Sequence, residues 1–315
     1  VAARIRIGSR ASALALAQTA MVVRALQQVR PGLTCEVVTF ATAGDRDREH
    51  PLPAIGGKGL FTAELERALR AGRIALAVHS LKDLPTAPAP GLVVAAVLER
   101  ADPSDALVSR SRRPLAELPS HPAIGTSSAR RAAQIAALRP DARLLALRGN
   151  VETRVRKALD ADGPYDAIVL AAAGLARLDL GREIVERLGP DRFLPAPGQG
   201  AIAVQGRAGD SAVELAGLAN HAPTLAAVTA ERAFLAGLEA GCTAPVAALG
   251  RVDGDRLELH GLVASGDGRR VLRFRRAGSP ADPEGVGRAM ADEALRAGAA
   301  ALMPDSGWRS APADP

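Results

Sequence analysis

Three short stretches combine residue types suited to holding an anionic organic molecule and moving its protons. In Val78-His79-Ser80-Leu81-Lys82-Asp83-Leu84-Pro85 a base, a hydroxyl, a cation and a carboxylate fall within five residues, directly after an apolar run. Gly125-Thr126-Ser127-Ser128-Ala129-Arg130-Arg131 places three hydroxyls ahead of two guanidiniums. Leu147-Arg148-Gly149-Asn150-Val151-Glu152-Thr153-Arg154 sets one arginine before a turn and another a helical turn beyond it. Helix N-termini offer unpaired N–H groups to anions, and guanidinium forks match carboxylates and phosphates. The first stretch reads equally well as a turn whose Asp and Ser satisfy local backbone donors. Two strand-end anion sites in one region, however, favour anion binding over coincidence.

Two further segments are more ambiguous. Gly56-Gly57-Lys58-Gly59-Leu60-Phe61 opens a helix and lacks the GxxxxGK[ST] spacing of a nucleotide-phosphate loop, so it is either an anion loop or a plain flexible one. Cys242 lies in the turn Ala240-Gly241-Cys242-Thr243, where a thiol is either reactive or inert, whereas Cys35 falls in an apolar strand and reads as a small hydrophobe. Two cysteines are too few for a disulfide framework or a cysteine-rich zinc site, and with five histidines no metal is expected. Lysine occurs only at Lys58, Lys82 and Lys157 among forty basic residues, so an ammonium at Lys58 or Lys82 is a distinct chemical choice from the prevailing guanidinium.

The elements that must position these groups alternate. Strand patterns at Arg4–Gly8, Leu33–Ala41, Ile74–Val78 and Leu92–Leu98 are separated by helical stripes at Ser12–Val29, with Ser12 as N-cap, and Gly59–Ala71. After the polar segment Glu99–Asp105 come strands at Ala106–Ser109, Ala123–Gly125, Leu144–Leu147 and Ala167–Leu170, with helices at Ala129–Leu138 and Val151–Asp160, the latter capped by Asn150. Phe193–Gly200 reads as a second crossing, and Ala201–Gln205 as a strand able to return to the first sheet. A helix over Pro223–Glu239, strands at Val246–Val252, Leu257–Ala264 and Arg270–Arg275, and a helix at Gly285–Ala299 suggest a small α+β module.

Composition limits the possible classes. With 315 residues, 48% of them hydrophobic, the chain suffices for two or three domains whose cores are Leu, Val, Ile and Ala, since aromatics are few. The net charge of +6 admits an anionic partner, but seven aromatics offer little base stacking and no nucleic-acid motif is present. No apolar run reaches the roughly 18–20 residues that span a bilayer, so a soluble, cytoplasmic protein without nucleic-acid or membrane partners is expected.

In this order the segments RIGSRASALAL, GGKGLFTAELE, LAVHSLKDLP, GTSSARR, LRGNVETR, YDAIVLAAAGLARL, LPAPGQGAIAVQ, AERAFL and EAGCTAPVAA resemble the porphobilinogen deaminase (hydroxymethylbilane synthase) family, densely over Arg4–Ala247. The resemblance implies two periplasmic-binding-protein-like α/β domains joined by two crossovers, plus a small α+β C-terminal domain. They would take residues 1–99 with 200–217, 104–194 and 221–305, followed by a disordered tail at 306–315. It also implies a dipyrromethane cofactor in thioether linkage to Cys242, porphobilinogen as substrate, hydroxymethylbilane as product, and a monomer. Asp83 matches the family's catalytic carboxylate. Arg10, Ser12, Lys82, Thr126, Ser128, Arg130, Arg131, Arg148, Arg154 and Arg177 match positions that bind cofactor or substrate side chains. Phe61 matches an aromatic that lies against a pyrrole, and Lys58, Ser80, Gly149 and Gln199 lie in the same matching segments. Ala54 stands where a second basic residue is common, and Ala240 where a glycine is common.

Overall fold

A computed structural model describes residues 4–41, 62–239 and 244–303. In chain order its elements are β1 (Arg4–Arg10), α1 (Ala13–Val29), β2 (Thr34–Phe40), α2 (Ala63–Arg70), β3 (Leu76–Ser80) and β4 (Leu92–Val97). There follow β5 (Asp105–Ser109), β6 (Ala123–Gly125), α3 (Ala129–Leu138), β7 (Arg143–Leu145), α4 (Val151–Leu159), β8 (Ala167–Ala171), α5 (Ala172–Ala176) and β9 (Glu186–Leu188). The chain continues through β10 (Ile202–Arg207), α6 (Ser211–Gly217), α7 (Ala222–Gly237), β11 (Val246–Asp253), β12 (Arg256–Ala264), β13 (Val271–Gly278) and α8 (Pro283–Arg296). The fold is mixed α/β. Two compact units comprise residues 1–101 with 200–225, and 102–199 with 226–315.

The two larger sheets share one plan. The first has the order β2-β1-β3-β10-β4, with β1 parallel to β2 and β3, and β10 antiparallel to β3 and β4. The second has the order β7-β6-β8-β5-β9, with β6 parallel to β7 and β8, and β5 antiparallel to β8 and β9. In each, the antiparallel fourth strand is the one entered directly from a crossover: β10 follows the second and β5 the first. Both sheets are covered on two faces, which explains the near-continuous burial of the inner strands β3, β5 and β8. In the first unit Ile7, Leu76, Val78 and Val204 meet α1 and α6, while Ala77 and Leu92 meet α2. In the second, Val108 and Ile168 pack with Val155 and Leu175, while Leu107 and Val169 pack with Ile135 and Phe193.

The C-terminal sheet, β11-β12-β13, is antiparallel and also two-faced. Alternate residues Val246 and Ala248 join Phe234 of α7 and Met290 of α8; Ala247 and Leu249 join Ala133 of α3 and Leu194. Close approach depends on Gly268, at φ +71°, where a Cβ would lie 2.3 Å from the Ala133 carbonyl oxygen. The buried Glu231 of α7 accepts the amides of Gly198 (2.6 Å) and Gly250 (2.7 Å), and Ala248 N–H donates to the Pro195 carbonyl. The second crossover is thereby fastened to β11.

Several element boundaries shift from the sequence expectation, two of them beside the motifs. The strand expected at Ile74–Val78 lies at Leu76–Ser80 because pairing with β10 continues to Ser80. The strand expected over Leu144–Leu147 ends at Leu145, because the backbone of Leu147 is served by a side chain instead. Neither α6 nor β9 is anticipated from the sequence; the latter is a three-residue edge strand with two charged residues, which reads as loop.

Candidate active site

In an open α/β sheet ligands collect at the carboxyl ends of parallel strands. In the first unit β1 and β3 end side by side: Ile7 pairs with Leu76 and Gly8 with Ala77, a register that sets Arg10 level with His79 three residues on. Ser12 caps α1 by accepting the Ala15 N–H at 3.3 Å. Beyond Ser80 a single 3-10 turn, Leu81–Asp83, carries Lys82 and Asp83, both half-buried. The turn is fixed by its buried Leu81, whose amide donates to the Ala201 carbonyl at 3.0 Å. Arg10, Ser12, Ser80, Lys82 and Asp83 thus share one sheet edge.

His79 does not supply the base its position suggested. Burial, reinforced by the Arg10 charge and opposed by the Gln205 side chain, lowers its imidazole to about 4, so it is a weak proton acceptor at ordinary pH. The Ser80 hydroxyl is instead oriented by Gln18, which donates to it at 2.9 Å and accepts from it at 3.1 Å. Gln18 belongs to no motif of the sequence, although an amide in the buried stripe Ala15, Gln18, Val22, Leu26 of α1 is a usable signal.

At the corresponding edge of the second unit, the turn after β6 carries Thr126, Ser127 and Ser128, and Ser128 caps α3. Thr126 is buried, with its hydroxyl oxygen accepting from Ser128 N–H at 3.2 Å. Arg148 and Gly149 follow β7, and Asn150 caps α4 by accepting Thr153 N–H at 2.9 Å. Gly149 has φ +117°, and a Cβ there would come within 2.8 Å of Thr153, so only glycine suits the turn. Arg154 folds back so that its Nε donates to the Gly149 carbonyl at 2.7 Å. Arg177 caps the C-terminal end of α5, after β8; burial pulls its guanidinium below the ordinary arginine value.

Behind this edge lies a buried ion cluster centred on Asp105, which in the sequence marks only the end of a crossover. Asp105 Oδ2 accepts Arg130 Nη1 at 2.6 Å; Oδ1 accepts Arg131 Nε at 2.8 Å and Gln199 Nε2 at 3.1 Å. Arg130 also donates to the Leu194 carbonyl at 2.7 Å, and Gln199 to that of Pro103 at 2.8 Å. Both crossovers are therefore anchored to the first turn of α3. Burial by itself raises the Asp105 carboxyl, but the two guanidinium charges and the bonds from Arg130 and Gln199 outweigh it and hold the group at about 2. Three of the residues expected to bind ligand, Arg130, Arg131 and Gln199, each donate a hydrogen bond to this carboxylate. The signal that would have found Asp105 is a carboxylate heading an otherwise apolar strand.

Lys58, Phe61, Cys242 and the 306–315 tail lie outside the described residues. Among the described residues no group of three or more His, Cys, Asp or Glu side chains gathers as a metal site.

Hydroxyl-capped helices and arginine-bearing turns thus stand at the carboxyl edges of two like α/β sheets. Residues 5–215 match the family model "Porphobilinogen deaminase, dipyromethane cofactor binding domain", and residues 225–296 match "Porphobilinogen deaminase, C-terminal domain". Among curated relatives, the porphobilinogen deaminase of Roseiflexus castenholzii is 53% identical, covering 95% of this chain and 98% of its own. That of Moorella thermoacetica is 51% identical, covering 95% of both, and that of Acidothermus cellulolyticus 46%, covering 99% of this chain and 94% of its own. The chain belongs to the porphobilinogen deaminase family of enzymes.

Proposed function

We propose that this chain condenses four porphobilinogen molecules head to tail, releasing ammonia at each addition, and then frees hydroxymethylbilane by hydrolysis. Its three parts, residues 1–99 with 200–217, 104–194 and 221–305, supply the catalytic carboxylate, the anion-binding turns and the cofactor thiol. The dipyrromethane, held through Cys242, supplies when bound the carbon nucleophile that starts the chain.

The donor set fits such a group. Each pyrrole bears an acetate and a propionate, and the turns at Thr126–Ser128 and Arg148–Arg154 offer hydroxyls, helix N–H groups and guanidiniums. Arg10, Ser12, Ser80 and Lys82 take substrate carboxylates at the edge of the first sheet, with Lys58, Phe61, Arg131, Arg148, Arg154 and Arg177 completing the binding set. Asp83 stabilises the positive charge that develops on a substrate ring as ammonia leaves, accepting from pyrrole N–H groups. A carboxylate in a short turn anchored on Ala201 is preorganised for this role. The enzyme acts as a cytoplasmic monomer without nucleic-acid or membrane partners. No described helix is long and apolar enough to cross a membrane.

The observation carrying this reading is the presence, on carboxyl edges built to one plan, of arginine–hydroxyl turns in one unit and a Lys82–Asp83 turn in the other. Intact-mass measurement tests it. Protein exposed to porphobilinogen should exceed its sequence mass by two pyrrole units, colour with Ehrlich's reagent, and lose both properties on Cys242→Ser. Formation of linear product by protein that stays at sequence mass would overturn it.

A further inference from the structure

We propose that Ser127, the middle hydroxyl of the turn after β6, is a positioning residue that joins the two arginine turns of the second unit into one carboxylate-binding surface. This rests on the reading above, in which Arg131 and Arg148 face ligand carboxylates.

The backbone pairing of β6 with β7 stops at Gly125 and Leu145. Thr126 N–H still donates to the Leu145 carbonyl at 2.9 Å. Beyond that point the Ser127 hydroxyl takes over: it donates to the Leu147 carbonyl at 2.7 Å and accepts the Leu147 N–H at 3.1 Å. One hydroxyl has the donor and the acceptor needed to do both. Leu147 is fully buried, so its amide and carbonyl have no recourse to water. The carbonyl between these two, that of Ala146, is held at 2.6 Å by the hydroxyl of Tyr165, whose ring occupies the space over Gly125.

The consequence concerns the residues on either side. Ser127 is flanked by Thr126 and Ser128, the cap of α3; Leu147 is followed by Arg148 and Gly149. Fixing Ser127 to Leu147 therefore fixes where Arg148 leaves β7 relative to the N-terminus of α3. Two turns that would each bind a carboxylate weakly become a preorganised pair, and the ordering is complete before ligand arrives. Ser127 itself has both hydroxyl functions engaged by Leu147, which distinguishes it from its neighbours as a support rather than a ligand contact.

The test compares full-length wild type with Ser127→Ala and Ser127→Thr, reading thermal stability, intact mass, and kcat and KM for porphobilinogen. Ser127→Ala is expected to raise KM about tenfold while kcat stays within about twofold, because the arginines it positions bind ground state and transition state alike. Ser127→Thr, which keeps the hydroxyl, should return KM to within about twofold of wild type. A folded Ser127→Ala whose KM is unchanged, or a threonine variant impaired as much as the alanine one, overturns the proposal. If the alanine variant does not accumulate as folded protein, Ser127→Cys, a weak donor of similar volume, takes its place under the same criteria. Wild type that neither carries the adduct nor consumes porphobilinogen would refute the functional reading, and this inference with it; active wild type with an indifferent Ser127→Ala refutes the inference alone.

Discussion

Replacing Asp105 by asparagine probes the buried cluster most directly. The substitution keeps the shape and one acceptor but removes the carboxylate that, among the described residues, is bonded to Arg130 and Arg131, whose side chains are 5% and 8% exposed. Two guanidiniums then remain buried side by side, and stripping one partner from a buried ion pair costs about 3–5 kcal/mol. Linkage gives a second, independent measure. Asp105 sits at about 2 in the fold against an ordinary 3.8, and a shift of that size corresponds to about 2 kcal/mol. The sign follows from proton uptake: between these values the unfolded chain binds a proton that the folded protein does not. The stabilisation is therefore complete above pH ~4 and is lost as pH falls through ~2. Urea unfolding followed by far-UV circular dichroism should show Asp105→Asn weakened by about 3 kcal/mol at pH 7, a midpoint shift of about 1 M or more. The gap between wild type and variant should close on acidification, and adding Arg130→Gln should recover more than half of the lost stability, because the excess charge leaves with it. A loss below about 1 kcal/mol at pH 7, or a gap indifferent to acid, would refute the assignment of Asp105 as the cluster's counter-ion.

Asp83→Asn should lower turnover by about a hundredfold or more, with the mass increment on the protein retained, since loss of one preorganised electrostatic contact falls in that range; normal turnover would exclude Asp83 from catalysis. His79, lowered to about 4 in the fold from 6.5, is protonated in the unfolded chain before the folded one, so its contribution is full above pH ~6.5 and fades towards pH ~4. Its imidazole resonance in NMR should titrate near pH 4, and a transition above pH 6 would contradict its burial as a neutral ring.

Legibility in the sequence followed the range of the interaction. Ser12 and Asn150 were identifiable as caps because each accepts from an amide three residues on, within a single local pattern. The helix Ala129–Leu138 and the strand Ala123–Gly125 emerged with the boundaries expected, because apolar periodicity and flanking turns specify them locally. The order of arginine- and hydroxyl-bearing motifs likewise sufficed to indicate the family. What escaped was each group whose meaning depends on a distant partner. His79 looks like a base in its own segment, and it is the burial around it that makes it a weak proton acceptor.

The sequence by itself determined which side chains stand at strand ends, which hydroxyls start helices, and, through the order of its motifs, the family. Tertiary structure alone decided that β10 enters the first sheet between β3 and β4, that Asp105 neutralises two guanidiniums lying 25 and 26 residues away in sequence, and that Ser127 reaches across 20 residues to Leu147. The reason is physical: caps and periodicity are written in bonds between near neighbours. The charge state of a buried arginine and the register of two turns depend instead on which strands lie side by side, and many weak long-range contacts fix that order together.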